Sequence, residues 1–255
     1  MFKKIALAAA LAATASFATW DYFPVKEAGH GQAPISEKVH MQGKSSKDIV
    51  ELGVRYSIIQ NFEAGLKVPV TVLSYYDGKN DERNGLGNLE LMLRYQFMPI
   101  MNAFLDVEFP TCAEDICGND DPFGFHFGVQ FSQKFGIVDF GSELGLKLES
   151  KGEDKTTPPW DLNLGLEADF LVSNMLTPYV GFDFNMKLGK ETRDGKNEGE
   201  SRTGDLGIAP YVGLNIDFNP MLYLGFEFRF GVGEDYDDYG KDTPIWLTVN
   251  FGVNF

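Results

Sequence analysis

Cysteine is scarce in this 255-residue chain: Cys112 and Cys117 are the only two. That excludes a disulfide-dense scaffold and a four-thiolate zinc site. Their spacing is not that of a zinc knuckle. In an oxidising compartment the alternatives are a small loop disulfide and two free thiols. Histidine is limited to His30, His40 and His126. His126 and Ser132 fall six residues apart in one strand pattern, about 20 Å, too far for a Ser-His catalytic pair. No catalytic constellation, metal site or cofactor is expected. Basic residues are outnumbered, 22 Lys and Arg against 37 Asp and Glu, for a net charge of −15. This excludes a nucleic-acid partner, which needs a basic face, and a peripheral protein held by anionic lipid heads. Long apolar runs are also missing, apart from one near the N-terminus that is too short for a spanning helix. No helix-period segment of useful length competes with the strand pattern described next.

The N-terminal run reads as an export signal. Lys3 and Lys4 precede the apolar stretch Ile5 to Ala15, and Ser16-Phe17-Ala18 offers a small-x-small cleavage site. Residues 1–18 are read as a signal peptide, 19–31 as a periplasmic lead-in and 32–255 as one β domain. Losing Lys3 and Lys4 makes the mature chain two units more negative.

From Gln32 onward the chain alternates with period two, the signature of strands with one apolar and one polar face. The run from Trp160 is regular: Leu162, Leu164, Leu166, Ala168 and Phe170 oppose Asp161, Asn163, Gly165, Glu167 and Asp169. Pro69 interrupts one run and predicts a bulge or rim there. Long polar loops are expected near Lys44, Asn80, Asp115, Asp154, Lys196 and Asp238. Short turns are expected near Gln60, Ile100, Lys134, Asn174 and Asn219. Such asymmetry is that of outer-membrane barrels, whose short turns are periplasmic and whose longer loops are outside. The pattern predicts an all-β fold: a single antiparallel transmembrane β-barrel of about twelve strands of about ten residues. Ten or fourteen strands would follow from misreading the first.

The stretch Ile245 to Phe255 places Ile245, Leu247, Val249, Phe251, Val253 and Phe255 on one face. An aromatic on an open sheet edge invites aggregation, and closing the sheet removes the edge while lipid covers the apolar face. A water-soluble sandwich would alternate too, but with its polar face outward. This stretch resembles the terminal strand of a bacterial outer-membrane β-barrel. The resemblance implies an assembly signal at Phe251, Val253 and Phe255, read by the barrel-assembly machinery, and places the protein in the outer membrane of a Gram-negative cell.

The polar face is the expected lumen lining. It carries Glu51, Arg55, Glu63, Lys67, Glu90, Arg94, Asp106, His126, Glu143, Lys147, Glu167, Asp169, Asp183, Lys187, Asp217, Glu227 and Arg229. Charged side chains need water or partners, so such a face implies a wet interior or cross-strand ion pairs. An open path would favour cations, because acids are in excess. A narrow barrel filled by its own side chains is the other outcome. Trp160, Trp246, Tyr95 and Tyr223 are candidate interfacial anchors. Carboxylates at Glu234 to Asp238 and at Asp120 and Asp121 would suit calcium, but no full calcium-loop spacing is present, so solvated loops are expected.

Two segments carry a family resemblance. Leu52-Gly53-Val54-Arg55-Tyr56 with Asn61-Phe62-Glu63-Ala64-Gly65-Leu66, and Gly85-Leu86-Gly87-Asn88-Leu89 with Leu93-Arg94-Tyr95, resemble units of the meta-pathway phenol-degradation outer-membrane family. Glu108-Phe109-Pro110-Thr111 resembles its Pro-Thr strand end. Asn88 stands where Asp is usual, and Cys112 where Gly usually follows. The resemblance spans Glu51 to Leu148 and implies passive, porin-like uptake of small organic molecules. The expected function is therefore passage or binding of small solutes through a polar, acidic lumen, without enzymatic activity. The alternative is a non-conducting barrel that serves structure or adhesion through its outer loops.

Overall fold

The computed structural model describes residues 22–80, 83–117, 122–152, 155–197, 201–239 and 242–255. The signal-peptide reading of residues 1–18 and the Asp120-Asp121 pair fall outside them.

Twelve antiparallel strands form the wall. They are β1 (Gly31–Gln42), β2 (Ser45–Ile59), β3 (Phe62–Tyr76), β4 (Leu89–Met98), β5 (Met101–Phe109) and β6 (Gly124–Phe135). They continue with β7 (Val138–Glu149), β8 (Trp160–Phe170), β9 (Leu176–Leu188), β10 (Leu206–Asn219), β11 (Leu222–Phe230) and β12 (Ile245–Asn254). Each strand pairs with its sequence neighbour, and β1 pairs with β12 through Ile35↔Phe251 and His40↔Trp246. The sheet therefore closes on itself and leaves no free edge, as a barrel in lipid requires.

The two faces part as the alternation predicts. Leu144 and Val212 are 50% exposed, whereas Glu167 is 1% and Asp169 0% exposed. The apolar face is outward and the charged face is inward.

The turn rhythm holds with one correction. The β1–β2 connection, expected to be a long polar loop near Lys44, is a tight hairpin at Gly43-Lys44, with Gln42 paired to Ser45. Gly43 takes φ +56°, which such a two-residue turn needs. The short turn expected near Lys134 is at Gly136-Ile137, with Phe135 paired to Val138. Strands β2 and β3 run to 15 residues each, beyond the expected ten.

Pro69 marks a break in one ladder. β3 pairs with β4 only over Phe62 to Lys67, then slips register to meet Gly85-Leu86. Proline's missing N–H falls at this slip, where it deprives no regular ladder of a donor. Across the gap Gly87 N–H donates to the Pro69 carbonyl at 2.8 Å.

Aromatic rings fill part of the interior. Tyr179, Tyr211 and Tyr223 are each at most 5% exposed. Tyr223, expected as an interfacial anchor, instead faces inward, as does Trp246, whose ring stacks on His40. Tyr95 and Trp160 face outward, 55% and 51% exposed. The rings lie over glycines of neighbouring strands. A Cβ at Gly213 would overlap the Tyr179 ring, and one at Gly181 the Tyr211 ring. Replacing Gly213 by Val should destabilise the barrel by about 1–3 kcal/mol, the usual cost of overpacking. Urea unfolding in lipid vesicles measures it.

Candidate functional site: the barrel interior

The interior side chains form a paired belt rather than a row of free charges. Near the short-turn end Arg55 lies 3.3 Å from Glu63, with side chains 3% and 5% exposed. Gln32 accepts from Arg55 Nε at 3.0 Å, and Ser57 donates to Glu63 at 3.2 Å. Arg94 clamps Asp106 through both terminal nitrogens. His126 bridges β5 and β7, with Nδ1 3.8 Å from Asp106 and Nε2 3.5 Å from Glu143. Gln130 donates to Glu143 at 2.7 Å.

Further up the wall Lys67 meets Glu90 at 3.7 Å, and Lys38 meets Glu51 at 3.0 Å. Lys147 lies between Glu108 and Glu149, and Lys187 is 2.8 Å from Asp161. Arg229 pairs with Asp183 and Glu227 and covers the Tyr211 ring at 4.3 Å. Tyr179 donates to Glu227 at 3.3 Å. Glu167 and Asp169 are fully covered, while Asp217 stays half-buried at the short-turn end. Arg55–Glu63, Lys67–Glu90, Arg94–Asp106 and Lys187–Asp161 join adjacent strands, where side chains across an antiparallel ladder stand about 5 Å apart, while Arg229–Asp183 and Lys147–Glu108 each reach past one strand.

The lead-in holds residues that the alternation could not announce. Tyr22 and Phe23 pack into the interior, and Phe23 is only 6% exposed. Tyr22 donates its hydroxyl to Asp183, and its ring lies against Gly165. Gly141 accommodates Tyr22 and Phe23. Burial raises the Tyr22 phenol well above its ordinary pKa, and Asp183 adds to the shift, so the hydroxyl stays a donor. Lys26 donates to Asn254 at 3.3 Å. The segment thus reaches from the short-turn end to the middle of the barrel. Its only sequence signal is the aromatic cluster ahead of β1, together with inward glycines on β7 and β8.

Beside Tyr22 lies a cavity of about 190 Å³, lined by His126, Glu143, Asn163, Asp183 and Asn185 among others. A cavity of this size holds a few waters or one small molecule.

In the outer loops Cys112 and Cys117 are disulfide-bonded, which settles the thiol alternatives. The Glu234–Tyr239 segment forms a 3-10 turn. Its Asp235 carboxylate pairs with Lys187 and Arg202. Among the described residues no group of three or more His, Cys, Asp or Glu is placed to hold a metal ion.

Closed topology, an apolar exterior and a charged interior define a bacterial outer-membrane β-barrel. No family model matches the chain, and no curated protein matches it. Solved structures do. An outer-membrane channel from Pseudomonas putida F1 superposes with a TM-score of 0.73 at 13% identity, over 94% of this chain and 100% of that one. The NanC porin gives 0.55 at 9%, over 88% and 98%. The translocator domain of autotransporter NalP from Neisseria meningitidis gives 0.53 at 11%, over 99% and 96%. At these identities the likeness is one of fold.

The Arg55–Glu63 pair offers a direct test of the interior belt. Glu63→Ala should cost about 3 kcal/mol, because it leaves a buried guanidinium without its carboxylate. Arg55→Met with Glu63→Leu should recover most of that loss. Urea unfolding of all three proteins in vesicles decides it.

Proposed function

We propose that the protein is a narrow outer-membrane channel that admits small solutes, with its bore set by the N-terminal segment. The observation that carries this reading is the cavity between Tyr22 and the charged wall. It lies inside a closed barrel, and its lining is polar. A barrel of twelve strands is wider than one that side chains alone must fill, yet narrower than a porin with an open aqueous channel. Here Tyr22, Phe23 and Lys26 take up part of that width. The inward acids favour passage of cations over anions. The likeness to a channel and a porin supports the reading, and the likeness to a translocator domain shows that the fold alone does not decide it.

The rival is a barrel that conducts nothing and acts through its outer loops. The well-tied loops favour it: a small sheet joins Thr156-Thr157 to Thr192-Arg193 and Lys196-Asn197, and the disulfide closes another loop.

Planar-bilayer recording separates the two. Deleting Tyr22 to Glu27 should raise single-channel conductance, with a preference for potassium over chloride. A deletion protein that stays closed at every voltage defeats the channel reading. A pH effect accompanies it. Burial, with a smaller push from Arg55, lowers the Lys26 pKa from 10.5 to about 7 in the docked segment. The docked state therefore holds the Lys26 proton less tightly than the undocked one. Docking should strengthen as pH rises from about 7 towards 10.5, and below that window this group has no further effect. Conductance should fall over the same rise, and Lys26→Met should flatten the slope.

A further inference from the structure

The connection between β11 and β12 does not stand away from the barrel. It turns inward against the wall and is held on both flanks. On one side Asp235 lies 3.4 Å from Lys187 and 3.6 Å from Arg202. Lys187 is itself fixed to Asp161 on β8 at 2.8 Å. On the other side the Gln42 amide of β1 donates to the carbonyls of Tyr236, at 2.9 Å, and Asp242, at 3.1 Å.

Between these anchors the Tyr236 ring fills a fitted slot. A Cβ at Gly207 or at Gly231 would come within 2.9 Å of the ring. The ring meets Trp246 edge-on at 5.9 Å, and Trp246 stacks on His40 at 5.1 Å. The phenol oxygen accepts from Asn185 at 3.4 Å. Asn185 also lines the cavity described above, so the hydrogen-bond partner of the tyrosine belongs to the cavity wall.

The backbone ties of this segment to the wall stop at its start and its end. Among the described residues its ladder to the wall ends at the Ile208↔Val232 bridge on one side. On the other it ends where Gly231 donates to the Pro244 carbonyl. Gly233 follows at once with φ +114°, a conformation open to glycine and strained for other residues. Among the described residues from Gly233 to Tyr239, the ties to the wall given above are ion pairs, a ring contact and hydrogen bonds that involve side chains.

We infer that Gly233 to Tyr239 is a displaceable strap, with Tyr236 as its latch, which closes the outer mouth over the cavity. A strap hinged at Gly233 and held by side chains exchanges between closed and open positions, and removing the latch shifts that population. Deleting one ring contact and one hydrogen bond is enough for a roughly tenfold shift, equal to about 1.4 kcal/mol.

The test measures access rather than conduction, so its failure and the failure of the channel reading are distinguishable. A single reactive cysteine is placed in the cavity wall by Asn163→Cys; Cys112 and Cys117 are bonded to each other and do not react. Intact cells are treated with a membrane-impermeant maleimide. Labelling should be roughly tenfold faster when Tyr236→Ala is added, and at least as fast when Glu234 to Tyr239 is replaced by two glycines. Heat-shifted gel mobility confirms that each barrel is folded. Should Tyr236→Ala fail to fold, the glycine replacement decides alone. Equal labelling rates in the folded proteins overturn the inference.

Discussion

Backbone hydrogen bonding in lipid is the constraint on which the rest of this molecule depends. Lipid offers no partners, so every N–H and C=O in the wall must find one in a neighbouring strand. The pairing of β1 with β12 meets that demand, from Gln32↔Asn254 to Met41↔Ile245. Without it two strands would present open edges. Closure then dictates the side-chain pattern, because a pleated strand has only two faces. One must suit lipid, as Leu144 and Val212 do, and the other turns toward the axis.

That second face creates a difficulty of its own. Twelve strands bring many ionisable groups into a confined space, where an isolated charge is costly. The solution is pairing between adjacent strands. Arg55 meets Glu63 on β3, Arg94 meets Asp106 on β5, and Lys187 meets Asp161 on β8. Tyrosines over glycines add a neutral filler between the pairs. The interior is thus ordered by short-range rules applied strand by strand, and no single central core is needed.

Much of this was legible in the sequence, because period two is fixed by strand geometry. The strand count, the inward charges and the outward Phe and Leu all follow from it. What differs lies where another signal competes with period two or where period two does not reach. Tyr223 alternates with Leu222 and Leu224, so its inward side was implied; its aromatic character suggested an interfacial belt instead. The same competition holds at Trp246, whose ring stacks inside on His40. The Gly43-Lys44 hairpin was hidden by the polar residues Ser45 to Asp48, which belong to an overlong β2 rather than to a loop. The docking of Tyr22 and Phe23 depends on glycines more than a hundred residues away, Gly141 and Gly165. No local pattern encodes such a contact.

Barrel size alone does not set permeability at twelve strands. Eight-stranded barrels are filled by their own side chains, and those of sixteen or more leave a channel in spite of them. Between these limits the contents decide. In this protein they come from three sources with different freedom to move. The ion pairs and tyrosines belong to the wall and are fixed by it. Tyr22 and Phe23 come from the segment that leads into β1 and is tied to the wall by hydrogen bonds such as Gly29 N–H to the Ser57 carbonyl and Tyr22 to Asp183. Tyr236 comes from a loop that leaves the ladder after Val232. Because the wall is closed by continuous strand ladders and the other two lie outside those ladders, a change in bore costs least at these two segments. Polar solutes would then meet a barrier set by a few hydrogen bonds rather than by the width of the sheet.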